Sequence, residues 1–171
     1  VNLAVEQSNF DWLMLVSAGE EFTPSGLMIA ALELIDTSDC HALFGDELQR
    51  INEVELGGTF RPAFNLDLLL SFPAVMARHW LIRRDMFLAL NGYDPAYSTA
   101  LEFDLLLRLL EQHGTAGIGH VAEPLLIGAV QLLRDDASEK ALLQRHLYAR
   151  GYVNGDVASV FPGRYRLCYR H

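Results

Sequence analysis

Three groups of carboxylates in this chain have the residue type and spacing to do chemistry. Glu20-Glu21 follows one apolar run and Asp46-Glu47 follows another. Glu102 and Asp104 open an amphipathic segment that carries Arg108. A carboxylate fixed at the mouth of a helix can take a proton from an approaching hydroxyl, which is general-base chemistry. A basic pair, Arg83-Arg84, lies upstream of the third group, with His79 and Trp80 before it. Each of these residues also has an ordinary structural reading. Thr99-Ala100-Leu101-Glu102 fits a capping box, with Glu102 reaching back to the Thr99 N–H. Asp104 fits a first-turn acid favoured by the helix dipole, and it stands four residues before Arg108, close enough to pair. Glu20 and Glu21 fit solvated acids of a strand-to-helix loop, and Asp46 fits a turn carboxylate. His79, Trp80 and His120 fit packed core or strand residues.

The elements that must position these groups alternate between strand and helix signals. Val1–Gln7 reads as the tail of a helix, and Trp12–Val16 as a short buried strand. Thr23-Pro24 reads as N-cap and first helical position, with Leu27, Ala30, Ala31, Leu34 and Ile35 as the apolar stripe of the helix. His41–Phe44 is a strand ending at Gly45-Asp46-Glu47. Gly57-Gly58 predicts a hairpin turn between Leu48–Val54 and Thr59–Phe60. Phe64–Phe72 suits a helical turn closed by Pro73, Val75–Ile82 a strand, and Arg84–Leu90 a helix stopped by Asn91-Gly92. A helix from about Ala100 to His113 ends at Gly114. Gly117–Val121 and Leu125–Val130 read as strands around Pro124. The last helix, about Ala137–Arg150, carries Asp136 and Glu139 as a capping pair. Val157–Phe161 and Tyr165–Tyr169 flank Pro162-Gly163 as a hairpin or extended strands. Helices between strands predict an α/β fold, a mixed sheet with helices on both faces.

Bulk properties exclude several classes. The chain has 171 residues, 51% hydrophobic and 20% charged, enough for one globular domain with a real core. A net charge of -9 argues against nucleic acid or an anionic membrane surface as partner. The longest apolar runs are too short to span a bilayer, and no secretory signal pattern opens the chain. Two cysteines, Cys40 and Cys168, lack metal-site spacing and suit a reducing, cytoplasmic compartment. No Ser-His-Asp set, Gly-rich phosphate loop or Cys-His zinc spacing supports a hydrolase or a zinc protein.

The order from Trp80 to Glu111 resembles the acceptor-side half of family-two glycosyltransferases of GT-A fold. There an arginine-bearing segment leads to a Gly-Gly-Tyr/Phe-Asp turn, here Asn91-Gly92-Tyr93-Asp94, then to an acidic pair followed by Leu-x-Leu-Arg. The segments Trp12–Pro24, Phe44–Glu47 and Phe60–Leu69 extend the resemblance over about Val1 to Val130. The tail is similar to the linker between two modules of tandem glycosyltransferases. The resemblance implies a partial GT-A-like (nucleotide-diphospho-sugar transferase) fold lacking the N-terminal nucleotide-binding strands. It implies a division into 1–134, the C-terminal part of that domain, and 135–171, a helix plus extended linker or hairpin. A second glycosyltransferase module would then follow in the same parent chain.

The same resemblance assigns roles. Glu102, or Asp104, is the base of an inverting transfer from a nucleotide-sugar to a glycan acceptor in polysaccharide biosynthesis. Asp46 lies near the sugar-nucleotide site and Arg84 near the diphosphate or acceptor. Asn91 and Gly92 form the acceptor loop, and Trp80 can stack on a sugar ring. Mg²⁺ or Mn²⁺ would neutralise the leaving diphosphate. Here the two metal-binding aspartate positions fall on Ser17 and Gly19, leaving only Glu20 and Glu21 as carboxylates, with residual metal binding through Glu20, and the family's late His falls on Gly128. These departures leave two expectations open: an active transferase with a weakened metal site, or a catalytically degenerate module (a pseudoenzyme) acting in glycan binding or scaffolding.

Overall fold

A computed structural model describes residues 1–35 and 39–170. Its centre is one long strand, β3 (Ala42–Arg50), buried along most of its length. One edge of β3 pairs in parallel with β6 (Ile118–Ala129). The other edge is shared, antiparallel, by β5 (Leu81–Arg83) at its start and β4 (Leu56–Thr59) at its end. β1 (Trp12–Leu13) lies outside β5 and β2 (Glu21–Phe22) outside β6, giving a mixed six-stranded sheet. Alternation along β3 sends Ala42 and Phe44 into the main core and Leu43 into a smaller cluster on the opposite face.

The small face is covered by α2 (Gly26–Ile35). Its stripe is shallower than the pattern predicts: Gly26 and Ala30 are buried, while Leu27 and Ile35 stay exposed. The helix approaches β6 so closely that a Cβ on Gly26 would lie 2.8 Å from the Leu125 Cα. Small residues therefore make the contact. The helix also begins after Thr23-Pro24, and Thr23 Oγ1 accepts from the Gly26 N–H at 2.9 Å. On the main face lie α3 (Leu66–Ser71), α4 (Pro73–Met76), α5 (Arg84–Ala89) and α6 (Leu101–His113). α6 is buried nearly all round, as expected of a helix crossing a core. Ahead of β1, the short helix α1 (Asn2–Glu6) brackets the Asn91-Gly92 turn.

Four local expectations are corrected. β3 runs through Gly45-Asp46-Glu47 instead of ending there, because β4 and β6 pair with its second half. The β3–β4 turn lies at Ile51–Glu55, where Asn52 Oδ1 accepts from the N–H groups of Val54 and Glu55; Gly57-Gly58 sit inside β4. Val75–Ile82 is mostly helix and turn, since Pro73 starts α4 at a position that suits its fixed φ. The two late strands are one strand, β6, whose register slips beside Asp46 around Pro124, a residue with no N–H to donate.

Residues after β6 close the main core. α7 (Ala137–Ala149) buries Leu142, Leu143 and Leu147 there, and the hairpin of β7 (Asp156–Phe161) and β8 (Arg164–Cys168) adds Val157 and Tyr165. Asp136 caps α7 as expected, accepting from the Ser138 and Glu139 N–H groups. The capping box on α6 does not form. Its N-cap is Ala100, and the Thr99 hydroxyl turns away to donate to Asp136 Oδ1 at 3.0 Å.

Candidate functional site

An open cleft of about 260 Å³ lies where the loop after β1, the end of α4 and the start of α6 meet. Ser17, Arg78, His79, Glu102, Gln131 and Glu139 are among its polar lining groups. Glu102 stands in the first turn of α6, half-buried. Its Oε1 accepts from the Trp80 N–H at 3.2 Å. Burial pushes this carboxyl up to about 7, against the opposing pull of the Trp80 N–H, His79, Arg78 and Arg61. A base poised there is half-ionised near neutral pH, where proton transfer is most efficient.

Behind Glu102 is a closed lattice of charges. α4 ends at Met76, and the chain turns so sharply that His79 takes φ 56, in the left-handed region. That conformation costs a non-glycine residue about 1–2 kcal/mol. It lets the ring sit between two carboxylates, Nδ1 2.7 Å from Glu47 Oε1 and Nε2 2.9 Å from Glu20 Oε2. Arg78 Nε also donates to the ring Nδ1 at 3.3 Å. Burial, then the Arg78 guanidinium, lowers the ring below the ordinary histidine value, against the pull of Glu102 and Glu20. Arg78 reaches Glu20 Oε1 at 3.1 Å and Glu47 Oε2 at 3.3 Å. Arg61 is fully buried against the Glu47 carboxylate and donates to the Arg78 carbonyl at 3.1 Å. Burial, then the nearby Arg78, lowers the Arg61 guanidinium to about 10.

The residues singled out in the sequence fall into three places. Glu102 lines the cleft, and Glu20 stands in the lattice behind it. Asp46 lies at the far side of that lattice, buried, accepting from the Arg61 N–H at 2.7 Å. Trp80 is fully buried, stacked 4.6 Å from Phe44 with its Nε1 donating to the Met76 carbonyl, and touches the site only through its backbone. Arg84, Asn91 and Gly92 gather instead at α1: Arg84 donates to the Val5 and Glu6 carbonyls, and Asn91 and Gly92 line a separate hollow of about 150 Å³. Asn91 and Gly92 both have positive φ, 62 and 67, as the turn requires. Asp104 is fully buried, its two oxygens held by Arg108 at 2.5 Å and by Arg145 of α7 at 2.6 Å.

Arg61 and Arg78 complete the site without a sequence signal for a role there; His79 stood out beside Trp80 as a residue that could line a sugar pocket, Glu47 beside Asp46, and Glu139 only as a capping partner of Asp136.

The donor set does not fit a divalent cation. Residues 17 and 19 carry no carboxylate. Both Glu20 oxygens are already engaged by Arg78, His79 and the Ser17 N–H. Among the described residues no group of three or more His, Cys, Asp or Glu side chains is arranged to hold a metal ion. Among them, too, no helix is long and apolar enough to cross a membrane.

The curled mixed sheet with helices on both faces is an α/β fold, and its likeness to solved structures is that of a partial GT-A-like fold. Twelve chains of solved structures match it. One is the crystal structure of S. aureus TarS 1-349, a glycosyltransferase, with a TM-score of 0.57 and 10% sequence identity. The match covers 87% of this chain and 49% of that one, so the chain spans about half the length of the TarS structure. At that identity the likeness concerns the fold. No protein-family model and no curated protein sequence matches the chain.

Proposed function

We propose that this chain carries the acceptor-activating part of a glycosyltransferase of the family-two kind, which moves a sugar from a nucleotide-sugar donor to a glycan hydroxyl in polysaccharide biosynthesis. The observation that carries the reading is Glu102, a carboxyl facing a cleft and held near 7 by burial. The acceptor hydroxyl gives its proton to Glu102 as its oxygen attacks the anomeric carbon. The bond from that carbon to the diphosphate breaks, and the diphosphate leaves with the electron pair. Configuration inverts. Asp104 takes no part, because two guanidinium groups hold it inside the core. The lattice around His79 fixes the loop after β1 and the end of α4, and with them the shape of the cleft.

Glu102→Gln tests this. Gln keeps an acceptor for the Trp80 N–H and the size of the side chain, but it cannot take a proton. Transfer should fall by two orders of magnitude or more with the fold intact, in line with the worth of a general base. Full activity in that variant would overturn the assignment. The partners in this reading are the nucleotide-sugar, the acceptor and a second glycosyltransferase module. The free thiols of Cys40 and Cys168 support a cytoplasmic setting.

One observation favours a second reading. Glu20, the carboxylate left at the metal motif, is closed into ion pairs. A module so built would bind glycan, or brace an active partner, without transferring. Calorimetric titration of the longer parent module with UDP, GDP and dTDP, with and without Mn²⁺, separates the two. Binding of one nucleotide supports transfer; silence toward all three supports the degenerate module.

A further inference from the structure

The cleft at Glu102 does not stand alone. Two hollows of about 420 and 180 Å³ adjoin it, and all three share Ala74 and Gln131 in their walls. Thr99 and Glu139 border both the Glu102 lobe and the larger hollow. One wall is the extended stretch 131–134 between β6 and α7, and Glu139 comes from the first turn of α7. The tail of the chain, past β6, therefore builds part of the groove. Glu139 Oε2 accepts from the Tyr165 hydroxyl at 2.8 Å, which steadies the side chain. Burial pushes its carboxyl up.

We infer that the three lobes form one groove for a neutral, oligomeric glycan acceptor, with the reacting sugar at Glu102 and the next units along 131–134, where Glu139 accepts from their hydroxyls. This rests on the reading of Glu102 as the acceptor base. Two features argue for the chain length and the charge of the occupant. The lobes are contiguous and share walls, so a ligand that fills one has room to continue into the next. The lining mixes carboxylate, amide and hydroxyl groups with aliphatic ones such as Ala74 and Leu133, which suits the polar rims and apolar faces of sugar rings. An anionic chain would meet Glu102, Asp136 and Glu139 against Arg134, while the Arg78 charge is already taken by Glu20 and Glu47.

The test is a titration of the isotope-labelled chain with neutral oligosaccharides of one to six glucose or N-acetylglucosamine units, followed by amide NMR. Affinity should rise over the first few units, and the signals of Leu132, Leu133 and Arg134, which border the larger hollow and not the Glu102 lobe, should move with oligomers but not with monosaccharides. Glu139→Gln, which keeps an acceptor for Tyr165, should weaken oligomer binding about tenfold, the worth of one hydrogen bond to a charged acceptor. Equal affinity for one and six units, or an unaffected Glu139→Gln variant, would overturn the groove while residues 98–103 still respond and the Glu102 reading stands. Silence of residues 98–103 toward every saccharide would overturn both.

Discussion

Glu102 offers a prediction that can be worked to a magnitude. Its carboxyl is raised from an ordinary 4.5 to about 7 in the folded chain. Below pH 4.5 both folded and unfolded chains hold the proton, and the shift contributes its full stability. Between 4.5 and 7 the unfolded chain has lost the proton while the folded chain keeps it, so stability falls as pH rises. Above 7 the contribution is gone. At about 1.4 kcal/mol per unit, the loss across this window is about 3 kcal/mol. Gln at this position mimics the protonated acid and keeps the Trp80 N–H bond. Glu102→Gln should therefore match the parent near pH 4.5 and exceed it by about 3 kcal/mol at pH 8. For a chain of this length that is a gain of roughly 6–12 °C in Tm. Urea unfolding of both proteins at half-unit steps from pH 4.5 to 8.5 reads the difference directly, since every other titrating group is common to the two. Parallel stability curves would mean that Glu102 titrates as an ordinary surface acid, and the argument for a base poised in the cleft would fail.

Other outcomes follow from the same structure. Asp104→Asn should cost about 3 kcal/mol in urea unfolding, because it leaves the Arg108 and Arg145 guanidinium groups facing a buried position without a carboxylate; a loss of transfer with unchanged stability would instead make Asp104 chemical. His79→Phe should destabilise the chain by about 2–4 kcal/mol, since Glu20 and Glu47 lose the ring between them, and unchanged thermal unfolding would show the lattice to be idle. Gly26→Ala should cost about 1–3 kcal/mol, since its Cβ would meet the Leu125 backbone at 2.8 Å where α2 crosses β6; calorimetric unfolding with no loss would mean that the crossing is looser than drawn here.

Local chemistry was legible in the sequence wherever a few neighbouring residues settle it. The Asn91-Gly92 turn, the limits of α6 and α7, the Asp136 cap and the closing hairpin follow from propensity, capping and periodicity, which act within a turn or two of chain. The glycosyltransferase-like fold was legible as a resemblance of order and motif, and so was a carboxylate at the start of α6. What the sequence could not say is which groups meet. β3 extends past Gly45 because β4 and β6 flank it, and Thr99 abandons its capping box because Asp136 lies across from it. Asp104 faces inward to an arginine 41 residues away, while its neighbour in the acidic pair, Glu102, faces the cleft. His79 joins Glu20 and Glu47 across 59 and 32 residues. Burial of charge is decided by what stands opposite in space, and a Coulomb partner at 3 Å outweighs any local preference of a single side chain. The sequence determined that this chain holds carboxylates fit for acid–base chemistry; the tertiary structure decided that, of the acidic pair opening α6, Glu102 faces an open cleft and Asp104 the core.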